Sequence, residues 1–132
     1  DSFFTEVHFQ NTIQGQSGAT DFTLTSQIVS NTLSRTTDAS TLAVGVSWNG
    51  NALNKTTPVT MIDTANNISA GLDALAVATA FAGADRVSTQ GSFDFTVDSA
   101  TSDGSTAAEF KDLTDGYWSG DVRVQFNAVW TI

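Results

Sequence analysis

The sequence predicts an all-β fold, organised as a β-sandwich of immunoglobulin-like type. Its 132 residues fit a single domain with one core. Thr occurs 20 times and Ser 14 times, whereas Lys occurs twice, and this composition suits strands with one solvated face. Short segments of alternating apolar and polar residues recur between clusters of turn-forming residues. About seven such strands favour a sandwich or a barrel.

The first predicted strand, Phe3–Ile13, places apolar and polar residues on opposite faces. Gly15 and Gly18 mark the turn that follows it. A second strand begins at Phe22, where Leu24 and Ile28 share its apolar face. The polar residues 34–40 then separate it from the third strand.

The third predicted strand, Leu42–Trp48, leads directly into Asn49-Gly50. This dipeptide tolerates the positive φ angles of a type I′ turn, so Ala52–Thr56 is predicted to return antiparallel. A short fourth strand, Val59–Ile62, follows Pro58. The segment 70–82 is compatible with a short helix or with a strand, because its alanines favour a helix but glycines limit its length.

Two further strands complete the predicted fold. The segment Phe93–Val97 alternates with polar residues and is predicted to end before a loop, 99–106, that turns at Asp103-Gly104. The last strand has the most regular alternation, and it runs to the end of the sequence. Its apolar face consists of Val122, Val124, Phe126, Ala128 and Trp130.

Charge and composition exclude several classes of partner. The formal net charge is −9 and the pI is about 4.1, so the surface lacks the cations that nucleic acid or an anionic membrane requires. The absence of cysteine removes disulfides, thiolate zinc sites and cysteine nucleophiles. No apolar run approaches the roughly 20 residues that cross a bilayer. No cofactor is expected.

Candidate catalytic and metal-binding residues are weak. His8 is the single histidine, and no nucleophile motif accompanies it, so we interpret it as a polar residue on a strand. The carboxylates of Asp98, Asp103, Asp112 and Asp115 lack the spacing of a calcium loop and are interpreted as turn residues. No pair of acids is favoured for glycosidase chemistry. We therefore expect neither a metal site nor an enzyme.

Aromatic residues near the C-terminus leave a second interpretation open. Tyr117 and Trp118 could stack against the apolar face of a sugar. Alternatively, Trp118 packs in the core together with Trp48 and Trp130. The positions of these residues on or beside predicted strands favour this alternative.

Several sequence blocks carry a resemblance to a known family. The blocks are Phe22–Ser26, Asn31–Leu33, Leu42–Val46 with Asn49-Gly50, Met61–Asn66, Trp118–Val122, Val124–Phe126 and Trp130-Thr131. Their order and spacing match over most of the chain, and the combination of Met61–Asn66 with the three C-terminal blocks is specific. The chain resembles the major pilins of the enterobacterial common pilus, which belong to the alpha class of chaperone-usher fimbriae.

The resemblance implies an incomplete immunoglobulin-like sandwich that lacks one strand. A periplasmic chaperone would hold such a subunit, an outer-membrane usher would export it, and the extension of a neighbouring pilin subunit would complete it. The implied function is that of a structural subunit of an extracellular adhesive pilus with a tip adhesin, active in adhesion to the host-cell surface and in biofilm formation. In isolation, a strand-swapped dimer is expected.

The resemblance also implies that the C-terminal strand borders the groove for the donor strand. The groove residues would then be Val122, Val124, Phe126, Ala128 and Trp130. From the sequence alone, the same residues could instead form part of a closed core.

Residues 1–132 are interpreted as one pilin domain without the full N-terminal donor-strand extension of the family. The segment Phe3–Phe9 could be a remnant of that extension, or the chain could be trimmed. It could also be the pilin domain of a two-domain tip adhesin.

Overall fold

The computed structural model describes the backbone of residues 4–132 and the side chains of residues 12–132. The described residues form nine strands, one short α-helix and three single-turn 3₁₀ segments. The strands are β1 (Phe4–Gln14), β2 (Asp21–Ser30), β3 (Thr32–Ser34), β4 (Thr41–Trp48), β5 (Asn51–Ala52), β6 (Val59–Asp63), β7 (Arg86–Thr101), β8 (Ala107–Ala108) and β9 (Arg123–Thr131). The helix α1 spans Ala78–Phe81, and the 3₁₀ segments span Thr64–Asn66, Asp73–Leu75 and Phe110–Asp112.

The strands form two sheets that enclose a single core. The first sheet has the order β1-β7-β4-β3, with the short β5 and β8 paired to β4 and β7. The second has the order β6-β2-β9, and all pairings in both sheets are antiparallel. The prediction of an all-β pilin sandwich is therefore confirmed.

Aromatic side chains from both sheets meet in the core. Phe22 on β2 is completely buried. Its ring stacks on that of Phe81, with 6.2 Å between centroids, and meets the Trp130 ring at a tilt of 45° and 5.1 Å. Trp48 on β4 is buried against Phe93 on β7, with 4.9 Å between the rings. The predicted inward faces of β2 and β4 are thus the buried ones, because side chains two residues apart share one face of a strand.

The Asn49-Gly50 hairpin forms as predicted, with φ angles of 47° and 80°. The returning strand is shorter than the predicted Ala52–Thr56 and contains only Asn51–Ala52. It ends because the Asn54 carboxamide oxygen accepts hydrogen bonds from the backbone N–H groups of Thr56 and Thr57, which turns the chain away from β4.

The strand predicted around Phe93–Val97 is much longer than its alternating segment. It is β7, which has 16 residues and includes Asp98 as well as residues 99–101, the first three residues of the predicted loop. Pairing with β1 on one side and β4 on the other extends it, and a bulge opposite Ala43 and Val44 accommodates one extra residue. The interpretation of Asp98 as a turn residue was therefore wrong.

The turn at Asp103-Gly104 is confirmed, and Gly104 has a φ of 93°. The Asp103 carboxylate accepts hydrogen bonds from the backbone N–H groups of Thr106 and Ser105, at 2.7 and 3.0 Å. These bonds stabilise the ionised form and lower the pKa of Asp103 to about 2.

The ambiguous segment 70–82 adopts helical turns and contains no strand. Leu72 and Leu75 are completely buried and anchor these turns to the core. The segment begins at Ala70, whose φ is 46°, and the Trp48 indole N–H donates to the Ala70 carbonyl at 3.0 Å. The side chains of residues 4–11, including His8, lie outside the described residues, as does Phe3 entirely.

A free sheet edge and an anchored aromatic loop

Strand β9 lies at one edge of the second sheet, where β2 is its one partner among the described strands. Two hydrogen bonds fix the direction in which its backbone groups point. The N–H groups of Phe22 and Ile28 donate to Thr64 and Asn54, on the side of β2 that faces away from β9. Paired residues of an antiparallel ladder alternate between bonded and non-bonded pairs. The even-numbered residues of β2, from Phe22 to Ile28, are therefore not bonded to their partners on β9, which are also even-numbered. Those β9 residues direct their N–H and C=O groups to the free edge.

The same even-numbered residues carry the apolar side chains that face the core. Three of them, Val124, Ala128 and Trp130, are only partly buried although they pack against the core, as does Val122 just before the strand. Phe126 is 47% exposed. On β2, by contrast, the residues paired with the even-numbered residues of β9 are between 0 and 7% exposed. The sandwich is thus well packed up to β2 and incompletely covered along β9.

Side-chain size alternates along this face of β9. Phe126 reaches across to the other sheet, where its ring meets the edge of Phe93 at 5.9 Å. Trp130 covers Phe22, and Ala128 lies between the two large residues. The register pairs Ala128 with Leu24 and Phe126 with Ser26.

The aromatic pair that the sequence singled out lies on the segment that leads into β9. Tyr117 is 98% exposed, whereas Trp118 is partly buried. The guanidinium of Arg35 lies 4.2 Å from the centroid of the Trp118 ring and covers one of its faces. Trp118 therefore lies outside the main core, and the interpretation of all three tryptophans as core residues holds for Trp48 and Trp130 but not for Trp118.

Arg35 is the buried charge of this region, with a side chain that is 2% exposed. Its Nε and Nη2 atoms donate to the Asp38 carboxylate at 2.9 and 2.8 Å, and its Nη1 donates to the Thr114 carbonyl at 2.6 Å. The hydrogen bond from Arg35, followed by those from Ser40, holds the pKa of Asp38 well below its usual range. The same pair raises the pKa of Arg35.

Two glycines allow the segment to approach β3 closely. A Cβ atom on Gly116 would lie 2.9 Å from Nη1 of Arg35, and one on Gly120 would lie 2.6 Å from the Thr32 carbonyl oxygen. Between them, Ser119 exchanges two backbone hydrogen bonds with Ser34. This anchor was not predicted from the sequence. The one local signal for it is that Arg35 stands in the polar cluster 34–40, three residues before Asp38.

The remaining candidates are dispersed over the structure. Within residues 12–132, no three His, Cys, Asp or Glu side chains come close enough to hold a metal ion. No helix in the described part of the chain has the length and apolar character needed to span a membrane.

Comparison with known proteins identifies the family. The family model of the MatB fimbrillins matches residues 2–130. The chain belongs to this fimbrillin family. Its relatives include proteins named common pilus major fimbrillin subunit EcpA, from Klebsiella pneumoniae subsp. pneumoniae at 46% identity and from Escherichia coli O139:H28 at 45% identity. Each match covers 125 residues, which is 93% of this fimbrillin and 64% of the relative.

A further relative of the same name, from Shigella boydii serotype 4, is 45% identical over 125 residues, which are 59% of its length. The fimbrillin described here thus spans less than two thirds of the relatives that it matches. The resemblance to common-pilus pilins is confirmed.

Proposed function

We propose that this fimbrillin is a structural, non-catalytic subunit of an extracellular pilus, and that β9 accepts an extended strand from a neighbouring subunit. The observation that carries the proposal is the coincidence of two features on the same residues. The even-numbered residues of β9 combine unpaired edge backbone groups with partly exposed apolar side chains. β-Strand addition uses both, since main-chain hydrogen bonds supply affinity and alternate side chains fill the core.

The energy available to such a strand is large. A donor strand that buries about five apolar side chains gains about 1.5–3 kcal/mol from each, or about 8–15 kcal/mol in total, before the entropy cost of ordering the strand is subtracted. The net stability of a whole domain is about 5–15 kcal/mol. Strand addition can therefore decide whether the subunit is stable, and a completed subunit would persist through a slow unfolding rate.

The partners follow from this mechanism. A chain with an open apolar edge is prone to edge-to-edge association, so a periplasmic chaperone must cover β9 until an outer-membrane usher brings the next subunit. The assembled fibre, with a tip adhesin, would act at the cell surface in adhesion to host cells and in biofilm formation. The relatives named common pilus major fimbrillin subunit support the coarser part of this proposal, that the chain is a subunit of a pilus.

The test is complementation by peptides. Overlapping synthetic peptides that tile the part of the Klebsiella pneumoniae relative outside the matched 125 residues are added to the fimbrillin, and thermal unfolding is followed. One peptide is expected to bind with 1:1 stoichiometry and to raise the unfolding midpoint strongly. A stable monomer whose midpoint no peptide changes would contradict the proposal.

A second candidate function rests on Tyr117. A tyrosine that is 98% exposed on an anchored segment is a suitable contact for a glycan, together with the edge of Trp118. A glycan array with the Tyr117→Ala variant tests it. Specific binding that this substitution abolishes would support a ligand-binding module.

A further inference from the structure

We infer that successive copies of this fimbrillin make a second contact, head to tail, that does not use the β9 edge. In this contact the Tyr117 ring of one copy enters a surface cavity lined by residues of the segment 64–77 in the next copy, called here the 64–77 cavity. The inference rests on the part of the proposed function that makes the chain a pilus subunit. It assigns one partner, a second copy of this chain, to two surface features.

Tyr117 is a preorganised aromatic anchor. Its side chain is almost fully exposed, but the backbone on both sides of it is held. On one side, Arg35 donates a hydrogen bond to the Thr114 carbonyl. On the other, Ser119 exchanges two backbone hydrogen bonds with Ser34. A held backbone lowers the entropy cost of placing the ring against a partner, and tyrosine is among the residues that dominate binding energy at protein interfaces.

The 64–77 cavity has the size and the lining that a phenol ring requires. Its volume is about 230 Å³, and it opens to solvent. An apolar cavity of about 150 Å³ binds benzene. Ile68 and Val77 line the cavity with apolar side chains that are 41% and 49% exposed. The Asp73 carboxylate, which accepts a hydrogen bond from Ser69 in the same lining, has further acceptor sites for a phenol O–H.

The cavity and Tyr117 lie at opposite ends of β2. At the start of this strand, the Phe22 N–H donates to the Thr64 hydroxyl at 2.8 Å, and Thr64 lines the cavity. At its end, Ser30 is paired with Arg123, where the segment that carries Tyr117 enters β9. Phe22 and Ser30 are roughly 25 Å apart along an extended strand. Unlike surfaces at opposite ends of a subunit form a contact that repeats from copy to copy along a fibre.

A contact of this size acts between tethered copies. One tyrosine in one cavity buries far less than the roughly 1,200–2,000 Å² of a stable interface. Strand addition holds the next subunit close, so the contact forms at a high effective concentration within the fibre. It then fixes the angle between successive subunits, while the isolated chain associates only briefly through it.

Cysteine cross-linking tests the contact, because the chain has no cysteine of its own. One variant, Asp115→Cys, places a thiol two residues before Tyr117, and a second, Ala78→Cys, places one beside Val77, at positions that are both exposed. The two are mixed at high concentration with a short bismaleimide, whose irreversible links accumulate brief encounters. The mixed dimer should form at least about 10-fold faster than when Ala107→Cys, an exposed alanine outside the cavity lining, replaces Ala78→Cys.

Variants of the ring show whether Tyr117 makes the contact. Tyr117→Ala, added to the Asp115→Cys chain, should reduce cross-linking to the rate of the control pair. Tyr117→Phe should retain part of the excess, because it keeps the ring and loses only the hydroxyl. The side chain is exposed, so neither substitution disturbs the fold. Equal rates for the test and control pairs, or an unchanged rate in Tyr117→Ala, would overturn the contact.

A chain that carries both cysteines tests the head-to-tail arrangement. The variant with Asp115→Cys and Ala78→Cys should give a ladder of trimers and larger oligomers, because each copy offers one end to each neighbour. A product that stops at a closed dimer would overturn the arrangement.

Failure of this contact is distinguishable from failure of strand addition. The cross-linking is repeated with a complementing tiled peptide bound to β9. If the peptide binds and Tyr117→Ala changes nothing, the contact is wrong while strand addition stands. If no peptide binds but the Tyr117-dependent cross-link forms, strand addition is wrong while the contact stands. If Tyr117→Ala abolishes binding to a glycan and leaves cross-linking unchanged, the ring serves a glycan and the contact is wrong.

Discussion

The guanidinium of Arg35 lies 4.2 Å from the centroid of the Trp118 ring. This contact joins the loop between β3 and β4 to the segment that leads into β9. The hydrogen bond from Nη1 of Arg35 to the Thr114 carbonyl connects the same two parts of the chain, 79 residues apart. A buried cation in the loop between β3 and β4 thus anchors the segment that leads into β9.

Replacement of Arg35 should therefore destabilise the fold strongly. Arg35→Ala removes the guanidinium that donates to the Asp38 carboxylate and to the Thr114 carbonyl. Arg35→Lys keeps the charge but loses the bidentate hydrogen bonds to Asp38. We expect the unfolding midpoint to fall most for Ala and less for Lys. The matched control is Arg123→Ala, whose exposed contact with Asp121 at 3.6 Å contributes little. Equal effects of Arg35→Ala and Arg123→Ala in thermal unfolding would refute the anchor.

The Asp38 carboxylate should make stability dependent on pH in the acid range. Its folded pKa lies below the ordinary value of 3.8, so its contribution is fully present above about pH 4 and is lost as the pH falls through the folded value. In urea unfolding, the free energy of unfolding of Asp38→Asn should be lower than that of the unmodified protein at about pH 7, and the difference should be smaller at about pH 3. A difference that is the same at both pH values would contradict this prediction. Asp103, whose pKa is lowered from 3.8 to about 2, also stabilises the folded state, and this contribution is lost as the pH falls from 3.8 to about 2.

Two buried serines should respond to alanine with opposite signs. Ser26 and Ser40 are each 1% exposed, but the Ser26 hydroxyl has no hydrogen-bond partner among the described residues, whereas Ser40 donates to Asp38. Ser26→Ala removes an unsatisfied polar group and should raise the free energy of unfolding by about 1 kcal/mol. Ser40→Ala should lower it by about 1–2 kcal/mol. Denaturant unfolding of both variants tests the pair, and a loss of stability in Ser26→Ala would count against the packing described.

Ala70 occupies a backbone conformation that favours glycine. Its φ is 46°, and the following Gly71 has a φ of 85°. Ala70→Gly relieves the strain and should raise the free energy of unfolding by up to about 1 kcal/mol, while Gly71→Ala should lower it by about 1 kcal/mol or more. Equilibrium unfolding of the two variants measures both effects. Destabilisation by Ala70→Gly would show that this backbone conformation carries no strain.

Local alternation predicted most of the strands, since it reports which face of a strand is buried. It placed Leu42, Val44, Val46 and Trp48 on one face of β4, and the last three are buried whereas Leu42 is half-buried. It also identified the apolar face of β9 before any pairing was known. The 70–82 segment remained ambiguous because its alanines carry no clear period.

Local sequence patterns do not predict which distant strands pair with each other. Residues 86–92 contain few apolar side chains, and they belong to β7 because β1 pairs along them. The pairing of β9 with β2 likewise depends on residues about 100 positions apart. The Arg35 anchor was missed for the same reason, because a charged residue in a polar loop does not indicate which distant carbonyl it will meet.

Hydrogen exchange of the β9 amides reports whether this strand is a free edge. In the isolated fimbrillin, the amides of Phe126 and Ala128 should exchange at least about 100-fold faster than those of Gln125 and Asn127, which bond to β2. A complementing peptide should slow the exchange of Phe126 and Ala128 to the rate of their neighbours. Equal protection of all four amides in the isolated chain would show that the edge is already covered and would contradict the account.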